Sequence, residues 1–496
     1  MTTSDKSGHI AIIGTGFSGL CMAIALKRKG IHDFTLFERA DDIGGTWREN
    51  TYPGAACDVP GVLYSFSFAQ NPNWTRIYPP WDELHTYLRS VAERFDVLRH
   101  IRFRTEVCEM RFDERTLTWD LQLASGETVD ASVVVNGSGG LSRPFIPRLT
   151  GLESFEGTIF HSARWQHDHG LAGRRVAVIG SGASAIQFVP EIARRADTLY
   201  VFQRTPHWIM PRGDAPLSAA TRAMFARSPA RQRLRRWRTY WEFESLARAF
   251  LGNRKLIERF RASALEYLHA QVPDPHLRAK VTPDYDPGCK RRLVSDDWYP
   301  TLRRANVHLV TDTIAEIRPH AVVTSDGTEH EVDTIVFATG FTPTDFLAPM
   351  KVFGRDGIEL LDAWRDGAAT RLGIATSGFP NLYFLNGPNT GLGHNSIVFM
   401  IEAQARYIAS AISRTREAGV DAVDLDRKAQ TRDYASTQKR MRRTVWASGG
   451  CTSWYQSADG RIDTLWPATT VEYWLRTKFF RMSHYRRLTT QEGRST

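Results

Sequence analysis

Cysteine is scarce in this chain: five among 496 residues, with no two in a C-x-x-C pair. That argues against a dithiol redox centre, and the scattered positions read as neither a disulfide framework nor a zinc signature. Such usage suits a reducing compartment, so a cytoplasmic protein with no metal site is expected. No apolar run is long enough to span a bilayer. The opening "MTTSDKSGHIAIIG" lacks the charged-then-apolar order of a signal peptide, because a strand begins within the first dozen residues. Lys+Arg at 64 exceed Asp+Glu at 54, a net charge of +10. No zinc finger, helix-turn-helix or single-strand stacking module accompanies that excess, so no nucleic-acid role is expected. Arginine carries most of the positive charge, which suits a polyanionic cofactor where arginines meet phosphates.

Glycine, by contrast, is placed with purpose. The β-branched run His9–Ile13 leads into Gly14-Thr15-Gly16-Phe17-Ser18-Gly19, and Leu20, Ala23, Ile24 and Leu26 then recur at helical spacing. Strand, glycine loop and helix together make a dinucleotide fingerprint. Gly14 permits the turn, Gly16 lets backbone approach a pyrophosphate, and Gly19 lets the helix pack closely on the strand. The following strand, "FTLFERA", ends at Glu38, placed to accept a ribose hydroxyl.

A second loop, Gly180-Ser181-Gly182-Ala183-Ser184-Ala185, follows the Val176–Ile179 strand. After its next strand, "TLYVFQR", Gln203 and Arg204 stand where a ribose-binding acid is otherwise expected. An acid there repels a 2′-phosphate and an arginine pairs with it. The first loop therefore suits FAD and the second NADPH. Two apolar strands ending in small-residue turns, "SVVVNGSGG" and "DTIVFATGF", fit passages of the chain between two such units.

Four further runs carry a resemblance. Phe155, Gly157, His161 and Trp165 match F-x-G-x-x-x-H-x-x-x-W. Gly44, Gly45, Trp47, Tyr52, Pro53, Gly54 and Asp58 match [AG]-G-x-W-x-x-x-x-[FY]-P-[GM]-x-x-x-D. Cys289-Lys290-Arg291 and the late "CTSWY", Cys451–Tyr455, complete the set. On these motifs the chain resembles the type I Baeyer–Villiger monooxygenases, within the flavin-containing monooxygenases. One departure stands after Trp165, where Gln166 replaces the family's usual Pro or Asp.

The resemblance implies an α/β fold of two Rossmann-like dinucleotide-binding domains, for FAD and NADP, with a helical insertion. The expected division is 1–148 and 333–496 for the FAD part with a C-terminal lid, 149–212 and 286–332 for the NADP part, and 213–285 for the insertion. It also implies that reduced flavin and O₂ form a C4a-peroxide anion that attacks a ketone to give an ester or lactone. Arg291, oriented by Asp58, then supplies the cation that keeps that oxygen nucleophilic. "KRR" offers Arg292 as well, and only the family's pattern selects Arg291. Cofactor contacts are expected from Gly45, Thr46, Trp47, Asp58 and Ser184, from Arg204, Thr205 and Lys290 at the 2′-phosphate, and from lid Trp454. His161 is expected in a domain hinge rather than as a proton donor.

Within the insertion, apolar residues recur among arginines at three- and four-residue steps. A subdomain packed over the active site is expected, with Trp237, Tyr240, Trp241 and Phe243 in its core; contact with a membrane surface is the alternative. Rival functions are N- or S-oxygenation with the same cofactors, a flavoprotein reductase without oxygenation, and a non-catalytic nucleotide-binding module.

Overall fold

The computed structural model of the chain describes residues 8–342, 344, 346–457 and 459–490. Ile10–Ile13 is a run of four apolar residues without polar alternation, the pattern of a strand covered on both faces. All four are buried, with Phe34–Phe37 and Val133–Asn136 in parallel register on either side. Leu382–Phe384 and Ile101–Arg102 complete this first sheet in the order 382–384, 133–136, 10–13, 34–37, 101–102. A second parallel sheet is centred on Arg175–Ile179, in the order 307–310, 198–202, 175–179, 334–337, 158–161. Both sheets are the doubly wound α/β kind, with each glycine loop leaving the carboxyl end of a central strand.

The chain leaves the first sheet at Asn136 and enters the second at Thr158; it leaves the second at Phe337 and returns at Leu382. The two small-residue turns read in the sequence therefore begin both passages. A boundary at 332/333 needs correction, because Thr334–Phe337 pairs inside the second sheet with Arg175–Ile179 and Thr158–His161. An apolar strand followed by a turn does not reveal which sheet it joins.

Helix Phe17–Lys27 is covered more completely than one apolar face implies. Phe17, Cys21 and Met22 are buried along with Leu20, Ala23, Ile24 and Leu26. The first sheet lies on one side and the long helix Ile397–Glu417 on the other. Among the described residues, no helix is long and apolar enough to cross a membrane.

The segment 213–285 contains helices Ala219–Arg227, Pro229–Ser245, Ala247–Phe250, Arg254–Gln271 and Pro275–Val281. Its expected aromatic core does not form: Trp237 and Trp241 are 59% and 45% exposed. Tyr240 and Phe243 are half-buried. The Pro229–Ser245 helix is anchored instead by Glu244, whose carboxylate accepts from Asn395 Nδ2 at 2.7 Å and from the Thr470 N–H and hydroxyl, each at 2.7 Å. Burial disfavours its charge, but His394 at 3.5 Å and the hydrogen bonds from Thr470 and Asn395 outweigh burial and hold the carboxyl down at about 2. Because the folded-state value is lowered, this contribution is full above the usual carboxylate value of about 4.3. It is lost as pH falls from there through about 2. Glu244→Ala leaves several buried donors without an acceptor, at about 1–3 kcal/mol each. A clearly lower thermal midpoint is expected, and an unchanged midpoint would show that the helix is held by other contacts.

Candidate active site

Both glycine loops open onto one cavity of 1210 Å³. Gly14 turns with φ +90°, and a Cβ there would meet the Gly137 carbonyl at 3.0 Å. Gly16 and Gly182 differ from it. A Cβ on Gly16 would find nothing nearer than 3.7 Å, and one on Gly182 would find nothing within 4 Å. The protein itself does not require those two side chains to be missing. Both positions line the cavity, so the space suits a ligand that closely approaches the backbone. Gly19 lies behind the loop, where a Cβ would come within 1.9 Å of the Gly14 carbonyl oxygen.

Glu38 is buried at the end of its strand. It accepts from the Thr15 N–H and hydroxyl at 3.1 and 2.6 Å, from the Ala40 N–H at 3.0 Å, and pairs with Arg48 at 3.0 Å. The carboxylate is therefore fixed at the rim of the first loop, where a ribose would exchange with one of these donors. Nothing in the sequence pattern marks Thr15 or Arg48 as its partners.

The second loop carries the opposite charge. Buried Gln203 donates to the Lys280 carbonyl at 2.9 Å, while Arg204 is exposed at the cavity wall with Thr205 and Lys290. No carboxylate pairs with Arg204 among the described residues. Burial and the neighbouring Arg204 charge hold the Lys290 ammonium below the ordinary lysine value. Two cations side by side at the wall suit an anion.

Tyr52 and Gly54 tie the two halves together at Gln187. The Tyr52 hydroxyl donates to Gln187 Oε1 at 2.9 Å, and Gln187 Nε2 donates back to the Ala56 carbonyl at 2.9 Å. Gln187 lies on helix Ala185–Ile192, just after the second loop. Four residues beyond Gly54 stands Asp58, which accepts from Arg291 Nε at 3.1 Å and Nη2 at 2.5 Å. Their side chains are 29% and 38% exposed, and that surface faces the cavity. Burial opposes the Asp58 charge, yet the guanidinium overcomes it and lowers the carboxyl value. The Asp58 charge, against burial, raises that of Arg291. The Arg292 guanidinium lies 5.7 Å from the Phe260 ring centre, and only its charge, without a hydrogen bond, acts on Asp58. Of the two arginines in "KRR", Arg291 is the one that hydrogen-bonds Asp58 and lines the cavity.

Trp454 lines the same cavity, as does Tyr455, whose ring lies 4.9 Å from it. Tyr455 is buried beside the Arg291–Asp58 pair and absent from the expected site, although "CTSWY" pointed to it. His207 also lines the wall, kept neutral at about 4 by burial and by Lys290. The expectation of no disulfide needs correction: Cys289 and Cys451 are bonded, Cα to Cα 6.1 Å, across 162 residues. The bond joins the "CKR" run to the lid, and it removes the cysteine-based argument for a reducing compartment. Spacing along the chain carries no signal for such a pairing.

The fingerprint Phe155, Gly157, His161 and Trp165 lies outside the cavity wall, along the edge strand Thr158–His161. Phe155 packs into the second sheet's core, and a Cβ on Gly157 would meet the Asp333 carbonyl at 2.4 Å. Trp165 packs 5.2 Å from both Phe160 and Phe188. Buried His161 accepts the Ala163 N–H at Nδ1, 3.0 Å, and its ring lies 5.9 Å from Phe341 in the turn that leaves the second sheet. Burial lowers it to about 4, so it is neutral at pH 7.

Fold and site together define a two-dinucleotide flavin oxidoreductase. A family model for flavin-binding monooxygenase-like proteins matches residues 7–222. A Baeyer-Villiger monooxygenase of Pseudomonas aeruginosa PAO1 is 45% identical over 482 residues, covering 97% of this chain and 92% of that protein. Among solved structures, an oxidized steroid monooxygenase bound to NADP superposes with a TM-score of 0.87 at 30% identity, covering 97% of this chain and 99% of that one. OTEMO in complex with FAD and NADP gives 0.86 at 26% identity, covering 98% and 100%. The chain belongs to the Baeyer–Villiger monooxygenase family of flavin-binding monooxygenases.

Proposed function

We propose that the chain inserts one oxygen atom of O₂ beside the carbonyl of a small-molecule ketone, at the expense of NADPH, to give an ester or lactone. The observation that carries this reading is the Arg291–Asp58 pair, placed in the cavity shared by both glycine loops. Gly14, Gly16, Glu38, Gly45, Thr46 and Trp47 would hold FAD; Gly180, Gly182, Ser184, Arg204, Thr205, Lys290 and Trp454 would hold NADPH. Once bound and reduced, the flavin supplies the activation of O₂. The chain's own part is electrostatic. Arg291 keeps a fixed positive charge where oxygen carries negative charge, and it holds its proton at any working pH. Asp58 holds the guanidinium in one orientation. The domain division, with the second sheet extended through about residue 341, and the hinge role of the His161 fingerprint belong to the same proposal.

NADPH consumption across linear, cyclic, aromatic and steroidal ketones, with product analysis, tests the reading. Ester or lactone in proportion to NADPH is expected. Sulfoxide or N-oxide formation with no ester from any ketone would move the chain to the soft-nucleophile oxygenases.

Coenzyme choice is a separate test of Arg204. A charged hydrogen bond to a 2′-phosphate contributes about 1.5–3 kcal/mol, roughly ten- to a hundredfold in binding. Arg204→Ala is expected to raise the KM for NADPH by that factor and leave NADH nearly unchanged. Equal effects on both coenzymes would remove Arg204 from the phosphate site.

A further inference from the structure

The Pro229–Ser245 helix is packed with its polar side inward. Gln232, Thr239 and Glu244 are its buried residues. Gln232 Nε2 donates to the Asn71 carbonyl at 2.6 Å, and Arg236 Nη1 donates to the carbonyls of Val62, Leu63 and Ser65 at 2.8–3.0 Å. Tyr240 shares a 2.8 Å hydrogen bond with Thr470. The outer side is apolar: Leu234, Trp237 and Trp241 are 48%, 59% and 45% exposed. Spaced i, i+3 and i+7, they form one stripe. Exposed Arg231, Arg235 and Arg238 border it on one side and Arg233 on the other. None of the four is paired with a carboxylate among the described residues, and Glu242 is the one acid exposed between 231 and 242. Thr470 and Glu244 also join this helix to Thr470–Arg476, near which Leu475 and Phe479 are 57% and 61% exposed.

Exposing two tryptophans and a leucine while burying glutamine and glutamate is the reverse of what folding alone selects. We propose that this helix is a docking face for an anionic lipid surface. Tryptophan suits the headgroup boundary, with its ring among acyl carbons and its N–H among polar groups. The arginines reach lipid phosphates while their stems cover apolar area. The net charge of +10 adds attraction at longer range. A symmetric pair of chains fits less well, because an isologous contact through this stripe brings the two arginine rows together.

The test is co-flotation of the FAD-loaded full chain with phosphatidylcholine vesicles, with and without 30% phosphatidylglycerol (about a third anionic lipid), at low and high salt. Binding to the anionic vesicles is expected, at least about tenfold weaker for the Trp237→Ala/Trp241→Ala double variant, and weaker at high salt for the wild type. Arg235→Glu/Arg238→Glu is expected to lose binding while keeping its thermal midpoint. The tryptophan variant is expected to keep wild-type activity on a water-soluble ketone, which shows that it folds. Absence of wild-type binding to anionic vesicles, or equal binding by the tryptophan variant, overturns the proposal. A concentration-dependent dimer that the tryptophan variant loses, without vesicle binding by either protein, assigns the face to a second copy instead.

Discussion

Arg291→Ala is expected to abolish ester and lactone formation in a protein that still binds FAD. Arg291 is the cation that meets Asp58 in the cavity, through two N–H groups on one carboxylate oxygen. Removing it takes both of these hydrogen bonds from Asp58 and, in the proposed mechanism, leaves that negative charge beside an oxygen that must also become negative. Both effects act in the same direction, and together they amount to about 3 kcal/mol or more, a hundredfold or greater loss of product formation. Arg292→Ala serves as the internal control, because that guanidinium lies over Phe260 and outside the cavity wall. It is expected to keep substantial activity. Asp58→Ala should fall between the two, since the charge remains and only its orientation is lost. Product formed per NADPH consumed separates these outcomes from simple leakage of peroxide. Near wild-type ester yield from Arg291→Ala would remove the arginine from the mechanism. The same yield together with an inactive Arg292→Ala would shift the role by one residue.

Gly19→Ala is expected to yield protein that retains little FAD. The added methyl carbon would lie 1.9 Å from the Gly14 carbonyl oxygen and 2.9 Å from its carbonyl carbon. Both are backbone atoms of the first loop, so no side chain can rotate away. Helix Phe17–Lys27 cannot retreat either, since it is buried between the first sheet and helix Ile397–Glu417. Either the loop opens or the helix is displaced, and an overpacked core typically loses about 1–3 kcal/mol or more. Gly182→Ala makes the contrast, because nothing lies within 4 Å of the new carbon. That variant is expected to fold and hold FAD normally, with a raised KM for NADPH as its defect. Flavin absorbance per protein after purification, together with the thermal midpoint, reads the first substitution; coenzyme kinetics reads the second. Stoichiometric FAD in Gly19→Ala would show that the loop tolerates the displacement.

Much of this protein is written locally. Each glycine loop follows a continuous apolar strand and opens a helix, and that order is set by neighbours along the chain. Glu38 at the end of one following strand and Arg204 at the end of the other put an acid beside one loop and a cation beside the other, again within a few dozen residues. The two passages between sheets also announce themselves, as β-branched runs that stop at small residues.

The rest depends on pairs that chain order cannot specify. Asp58 and Arg291 are 233 residues apart, and Cys289 and Cys451 are 162 apart. Residue type alone leaves Arg291 and Arg292 equivalent; in the fold the hydrogen bonds to Asp58 set Arg291 apart. Thr334–Phe337 reads as a strand in any register, but its sheet is chosen by its partners, Arg175–Ile179 and Thr158–His161. Helix Pro229–Ser245 shows the limit most clearly. Its periodicity predicts an amphipathic helix, and it is one. Periodicity describes two faces without saying which is covered. Here carbonyls of residues 62–71 and the donors around Glu244 claimed the polar face, so the tryptophans were left outside.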